Sequence, residues 1–226
     1  MRLLPGRAAF VRIVPFLVFM ALLGARAAVP HVPVGGLDGR WLYGASVLSV
    51  GGLLLLWRRE YGELARQQWP DAREAALAVV VGLAVFALWI VLDAPWMTLS
   101  PPAAPFRPVD AQGRLDAPLI AVRWLGASLL VPVMEELFWR SFLMRWLQGA
   151  PFTGVDPRRV GLRAVLLSTF VFTLAHTLWV AAVMAGLAYA WLYRRTGRLW
   201  VPVLAHAVTN GVLGVWVVAT TNWAFW

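Results

Sequence analysis

Seven apolar runs, all but one neighbouring pair separated by stretches that carry arginine, constrain this chain more than any other feature. Hydrocarbon offers the backbone no hydrogen-bond partner, so each run must satisfy its own N–H and C=O groups, and a helix of about 20 residues does so across a bilayer. The runs fall at about 10–28, 41–57, 75–93, 119–147, 163–179, 181–195 and 199–219. Composition agrees: with 61% hydrophobic and 14% charged residues and a mean hydropathy of +0.70, a soluble globule would lack polar surface. The expected fold is all-α, a polytopic integral membrane helix bundle of about seven transmembrane helices, six to eight being admissible. No repeat or second domain is visible, so residues 1–226 are read as one integral membrane domain.

The residue inventory removes whole classes of chemistry. All 20 basic residues are arginine, which excludes lysine nucleophiles and Schiff bases, and the absence of cysteine excludes thiolates, disulfides and thiolate metal ligands. The net charge of +9 does not point to nucleic acid, because the arginines sit in clusters between apolar runs, where positive charge fixes topology. Arg2, Arg7 and Arg12 precede the first run; Arg58, Arg59, Arg66 and Arg73 follow the second; Arg145, Arg158, Arg159 and Arg163 follow the fourth; Arg194, Arg195 and Arg198 follow the sixth. With seven crossings these clusters share one side, which predicts a multi-pass protein of the cell inner (plasma) membrane with a cytoplasmic N-terminus. Pro15 early in the first run and Arg26 after it favour an uncleaved span over a secretory signal.

Two segments depart from regular spans. The run from Pro118 to Leu147 is longer than one crossing needs and contains Pro132, which predicts a tilted or kinked helix. The fifth and sixth runs are short and no glycine or proline separates them, so partial penetration near His176 and Trp179 would remove one crossing. The proline-rich link from Ala94 to Pro118 reads as an extended outer loop.

Charge inside such runs is costly and is retained mainly for function. Glu135, Glu136 and Arg140 occupy the fourth run, Phe172 and His176 the fifth, His206 and Asn210 the seventh. At 1.5 Å of rise per residue, Glu135 lies about 18 Å, His176 about 20 Å and His206 about 10 Å from the cytoplasmic ends of their spans. Three segments thus deliver a carboxylate and two imidazoles to membrane depth, predicting a shared cavity open to the inner half of the bilayer. Glu136 and Arg140, four residues apart, share a helix face and can neutralise each other. Glu135 points about 100° away and is the carboxylate left for general-base work. A Glu and His pair can deprotonate a water, and His and Asn side chains can donate to an oxyanion.

The pattern E-E-x-x-x-R at Glu135, Glu136 and Arg140, then F-x-x-x-H at Phe172 and His176, then H-x-x-x-N at His206 and Asn210, resembles the CPBP intramembrane protease family. That family includes the Rce1-type CAAX prenyl endopeptidases and bacterial relatives linked to bacteriocin immunity. The resemblance covers roughly 122–218, the expected catalytic core, and the run GLAYAWLYRRTGRLWVPVLAHAVTN from Gly186 to Asn210 looks like the family's closing block. The runs RIVPFLVFMALL and VGLAVFALWIVLDAPW in the N-terminal half are similar to the subgroup found beside exosortases. The resemblance implies an intramembrane endopeptidase in which Glu135 and His176 activate a water, and His206 and Asn210 stabilise the oxyanion. Glu136, Arg140 and Phe172 would support the site. Family members have been labelled metalloproteases, so a zinc held by Glu135, His176 and His206 stays open; the absence of an H-E-x-x-H pairing favours the metal-free form. The implied partners are a membrane-anchored protein or peptide substrate, the lipid bilayer and an exosortase system; prenyl specificity is not carried over.

Other residues have plain readings. His31, between Pro30 and Pro33, reads as an exposed loop histidine without a role, and Asp93 as a helix-end residue. Most of the 14 tryptophans read as interface anchors, while Trp139 and Trp179 are either cavity-lining or packing residues. Among rival functions, a rhomboid-like serine protease lacks its glycine-flanked serine, and a presenilin-like protease lacks intramembrane aspartates. A transporter with a Glu/His relay would call for an inverted repeat, which is not visible. A catalytically silent binding or immunity protein would not need to keep Glu135, His176, His206 and Asn210 together.

Overall fold

The computed structural model describes residues 6–27, 38–99, 106–110 and 112–226; His31 lies outside them. Seven helical segments form the bundle: α1 (Arg7–Ala27), α2 (Leu42–Leu56), α3 (Ala72–Val91), α4 (Ala117–Gln148), α5 (Leu162–Leu174), α6 (Trp179–Thr196) and α7 (Trp200–Thr220). Among the described residues there is no strand, only the single bridges Thr98–Leu178 and Val109–Leu115. Among the described residues, five segments, 7–26, 39–56, 72–91, 117–148 and 200–220, are long and apolar enough to cross a membrane. The seven expected runs are thus seven helices, but two fall short of that standard. At 13 residues, α5 reaches about 20 Å, less than a hydrocarbon core of about 30 Å; α6 carries Tyr189, Tyr193, Arg194 and Arg195.

Local sequence explains where helices start and stop. Asp71 caps α3 by accepting from the Arg73 and Glu74 N–H groups, and Glu74 answers with a bond to the Asp71 N–H, a reciprocal capping box. Asp116 caps α4 through the Leu119 N–H, with Pro118 in the first turn, where no donor is missed. Gly197, at φ 71°, ends α6 in the left-handed conformation that glycine adopts without strain.

The irregular helix is α4. Its α-helical hydrogen bonding gives way to π-helical bonding over Gly126–Leu130, returns over Val131–Glu136, and becomes π-helical again over Leu137–Met144. Pro132 explains the first change, since it has no N–H to donate. The Val131 N–H reaches back to the Gly126 carbonyl, so in that register the Ala127 carbonyl would face Pro132 and find no donor. The kink expected at Pro132 therefore takes the form of two π segments, bracketing the turn that carries Glu135 and Glu136. Such bulges recur at functional sites.

The helices alternate in direction and give the bundle two chemically distinct ends. At the arginine-rich end, Arg12 pairs with Glu63 at 2.6 Å, Ser141 donates to the same carboxylate, and Arg198 pairs with Glu74 at 2.7 Å. At the other end, the Phe106 N–H donates to the Trp226 carbonyl, and Trp179 Nε1 donates to the Trp96 carbonyl at 3.1 Å. Between the ends, α3 and α7 cross at Gly82, where a Cβ would lie 2.5 Å from the Ala205 carbonyl oxygen. Only glycine allows that approach, and Thr209 Oγ1 uses it to donate to the Gly82 carbonyl at 2.8 Å.

Candidate active site

Four residues singled out from sequence, Glu135, His176, His206 and Asn210, line one cavity of about 260 Å³ together with Phe172, Tyr189 and Ala127. Three segments far apart in the chain supply them: the central turn of α4, the turn after α5, and α7.

The two glutamates have different surroundings, as their 100° separation predicts, but the division is richer than a simple ion pair. Glu136 is fully buried, and its Oε1 accepts from Arg140 Nη1 at 3.2 Å and meets His206 Nδ1 at 3.0 Å. Glu136 therefore orients His206 as well as neutralising Arg140. Arg140 in turn donates to the Gly186 carbonyl at 3.3 Å and lies over the rings of Phe172 at 4.6 Å and Tyr189 at 5.4 Å. Glu135 faces the cavity, with one oxygen accepting from Trp139 Nε1 at 3.3 Å.

His176 lies one residue past the Ala175 cap of α5, so its helical spacing from Phe172 is not strictly a shared helix face. Its ring nevertheless folds back over Phe172, with centroids 4.2 Å apart, and its Nδ1 lies 2.7 Å from the Phe172 carbonyl oxygen. A carbonyl can only accept, so Nδ1 carries the proton and Nε2 is left as the basic nitrogen. The Phe172 ring also meets Trp139 edge-on at 5.5 Å. One aromatic side chain thereby touches the histidine, the partner of Glu135 and the partner of Glu136.

His206 stacks on Tyr189 at 5.0 Å. Tyr189 is held by its hydroxyl, which donates to Thr209 Oγ1 at 2.8 Å. With Nδ1 engaged by Glu136, Nε2 is the ring nitrogen that His206 has left for another partner. Asn210 Nδ2 donates to the Ala127 carbonyl at 2.9 Å, the oxygen deprived of a backbone donor by Pro132. One amide N–H is spent on that repair and the second is left for a ligand.

Sequence reasoning missed Tyr189, Trp89, Thr209 and Arg123 as members of the site region. The signal for Tyr189 and Thr209 was their place in the family-like block Gly186 to Asn210, and for Trp89 its place in the run VGLAVFALWIVLDAPW; nothing marked Arg123 as a site residue. Trp139 is buried and packs on Phe16 and Phe138, so its role is packing and holding Glu135. Trp179 binds the Trp96 carbonyl. The cavity wall also includes Leu23, Arg123, Phe225 and Trp226, which lie toward the arginine-poor end.

No three His, Cys, Asp or Glu side chains among the described residues group closely enough to hold a metal ion. In this arrangement Glu135, His176 and His206 are not grouped as a ligand set.

The cavity thus joins a carboxylate, Glu135, to the imidazoles of His176 and His206 and the amide of Asn210. Comparison with known proteins finds likeness over part of the chain. Residues 117–212 match the family described as type II CAAX prenyl endopeptidase Rce1-like, so the resemblance carried by the three motifs holds over this segment. A Bacillus subtilis (strain 168) protein named "Putative membrane peptidase YdiL" is 32% identical over 85 residues, 37% of this chain and 32% of that protein. The match thus spans about a third of the curated relative. No solved structure matches the chain significantly.

Proposed function

We propose that this protein is an intramembrane endopeptidase that hydrolyses a peptide bond of a membrane-anchored protein or peptide. The observation that carries the proposal is the convergence of Glu135, His176, His206 and Asn210 on one cavity. Glu135 and His176 Nε2 hold a water between them and take its proton as its oxygen attacks the scissile carbonyl. His206 Nε2–H and the second N–H of Asn210 donate to the oxyanion that forms. The proton then passes to the leaving amine, and the products are a new carboxylate and a new amine. Glu136 and Arg140 are positioning residues acting through His206.

The arginine-rich end is proposed to face the cytoplasm of the cell inner membrane, as the arginine distribution predicts. The N-terminal likeness to the exosortase-associated subgroup extends the proposal to substrates handled by such a sorting system; an exosortase gene beside this one would support that link. The test of the activity is maturation of membrane-anchored proteins in the native cell with Glu135→Ala and His176→Ala. Both variants are expected to be expressed normally and to leave substrates unprocessed, and unchanged processing would overturn the reading.

A further inference from the structure

Beside the catalytic cavity lies a second one of about 420 Å³. The two share Trp89, Arg123, Ala175, His176, Phe225 and Trp226 as wall residues, so they are adjoining compartments with His176 at the join. The second compartment adds Arg26. Arg26 and Arg123 come from α1 and α4, and one aromatic ring brings them together: each guanidinium lies 5.7 Å from the centre of Phe106. Arg123 also lies over Tyr43 at 4.4 Å.

Neither arginine has an acid within ion-pair distance among the described residues, and all 11 Asp and Glu residues fall in the described segments. Arg26 Nη1 and Arg123 Nε are buried and make no hydrogen bond there. Asp93 is the one acid in the compartment wall; it is exposed and bridges to neither. Two like charges brought together over one ring, each with a buried unbonded N–H, form an unfavourable arrangement that an anion would relieve. The planar guanidinium fork fits a carboxylate in two-point fashion.

We propose that Arg26 and Arg123 bind a carboxylate of the peptide substrate on the arginine-poor side of His176, fixing how far from that carboxylate the chain is cut. The inference rests on the peptidase reading. It favours a substrate group over a lipid headgroup because the pair faces a compartment continuous with the catalytic one.

The test reads binding without turnover, so its failure is distinct from a failure of the peptidase reading. The full chain, in nanodiscs of phosphatidylcholine, is titrated with acetyl-tetraleucine as the free acid and as the amide. Wild type is expected to bind the acid at least about tenfold more tightly, the size of a lost charge-assisted hydrogen bond. Arg26→Gln/Arg123→Gln should bind both forms alike, at the amide's affinity. A second arm compares acetyl-Leu-Leu-Asp-Leu-amide with its Asn counterpart: a preference there and not at the terminus assigns the carboxylate to a side chain, and the reverse assigns it to the C-terminus. Equal binding of acid and amide in both arms overturns the proposal, as does a preference that survives in the double variant. Retention of phosphatidylglycerol by wild type but not by the double variant in native mass spectrometry, without any peptide preference, assigns the pair to lipid and also overturns it. If the double variant fails to fold, Arg26→Gln alone, at the end of α1, carries the same comparison.

Discussion

At the arginine-rich end of the bundle Arg12 is gripped by Glu63, whose carboxylate also accepts from Ser141, and Arg198 by Glu74. At the opposite end Arg26 and Arg123 share one phenylalanine and no acid, beside a cavity that descends to Glu135. The acids at one end tie α1, the α2–α3 loop and α4 together and α3 to the α6–α7 link, whereas the arginine pair at the other end has no such tie among the described residues. The same contrast recurs one residue apart in α4. Glu136 is committed to Arg140 and His206, whereas Glu135 has a single weak donor in Trp139 and an aspect onto the cavity.

Substitutions can break this comparison at graded cost. Glu135→Gln should abolish hydrolysis, a loss of about 10²- to 10⁴-fold or more, with little change in thermal unfolding of the detergent-solubilised protein. Glu136→Gln should do the opposite first: it leaves the buried Arg140 charge uncompensated, a destabilisation of about 3–5 kcal/mol seen in the same unfolding assay. Glu63→Gln should cost about 2–3 kcal/mol, the loss of charge-assisted bonds to Arg12. Burial pushes the Glu63 carboxyl up, but the Arg12 guanidinium and the Ser141 hydroxyl more than offset it and hold the group below its ordinary value of 4.5. Its stabilising contribution is therefore complete above pH 4.5 and is lost as pH falls through the depressed value. Unfolding midpoints measured down that range should fall in wild type more than in Glu63→Gln. Gly82→Ala should cost about 1–3 kcal/mol by forcing α3 off α7. The exposed pair Arg7–Glu60 should be the smallest effect, with Glu60→Gln unfolding as wild type does.

What the sequence made legible follows from what is local. Helix number, the interruption at Pro132 and the different faces of Glu135 and Glu136 depend on spacing within one run, and each has its counterpart in the structure. The union of Glu136 with His206 spans 70 positions and that of Asn210 with Ala127 spans 83, so they depend on how α4 and α7 pack, which no periodicity encodes. The short α5 was misjudged by about one turn because Ala175 and His176 are as compatible with helix as with the turn they form.

The most direct measurement is mass-spectrometric mapping of new peptide C-termini in membranes incubated in H₂¹⁸O, comparing wild type with Glu135→Gln at equal expression. Water activated by Glu135 should place ¹⁸O in a defined set of new carboxylates in wild type and in none of that set in the variant. The same labelled termini in both would contradict the assignment of Glu135 and, with it, the account of the cavity.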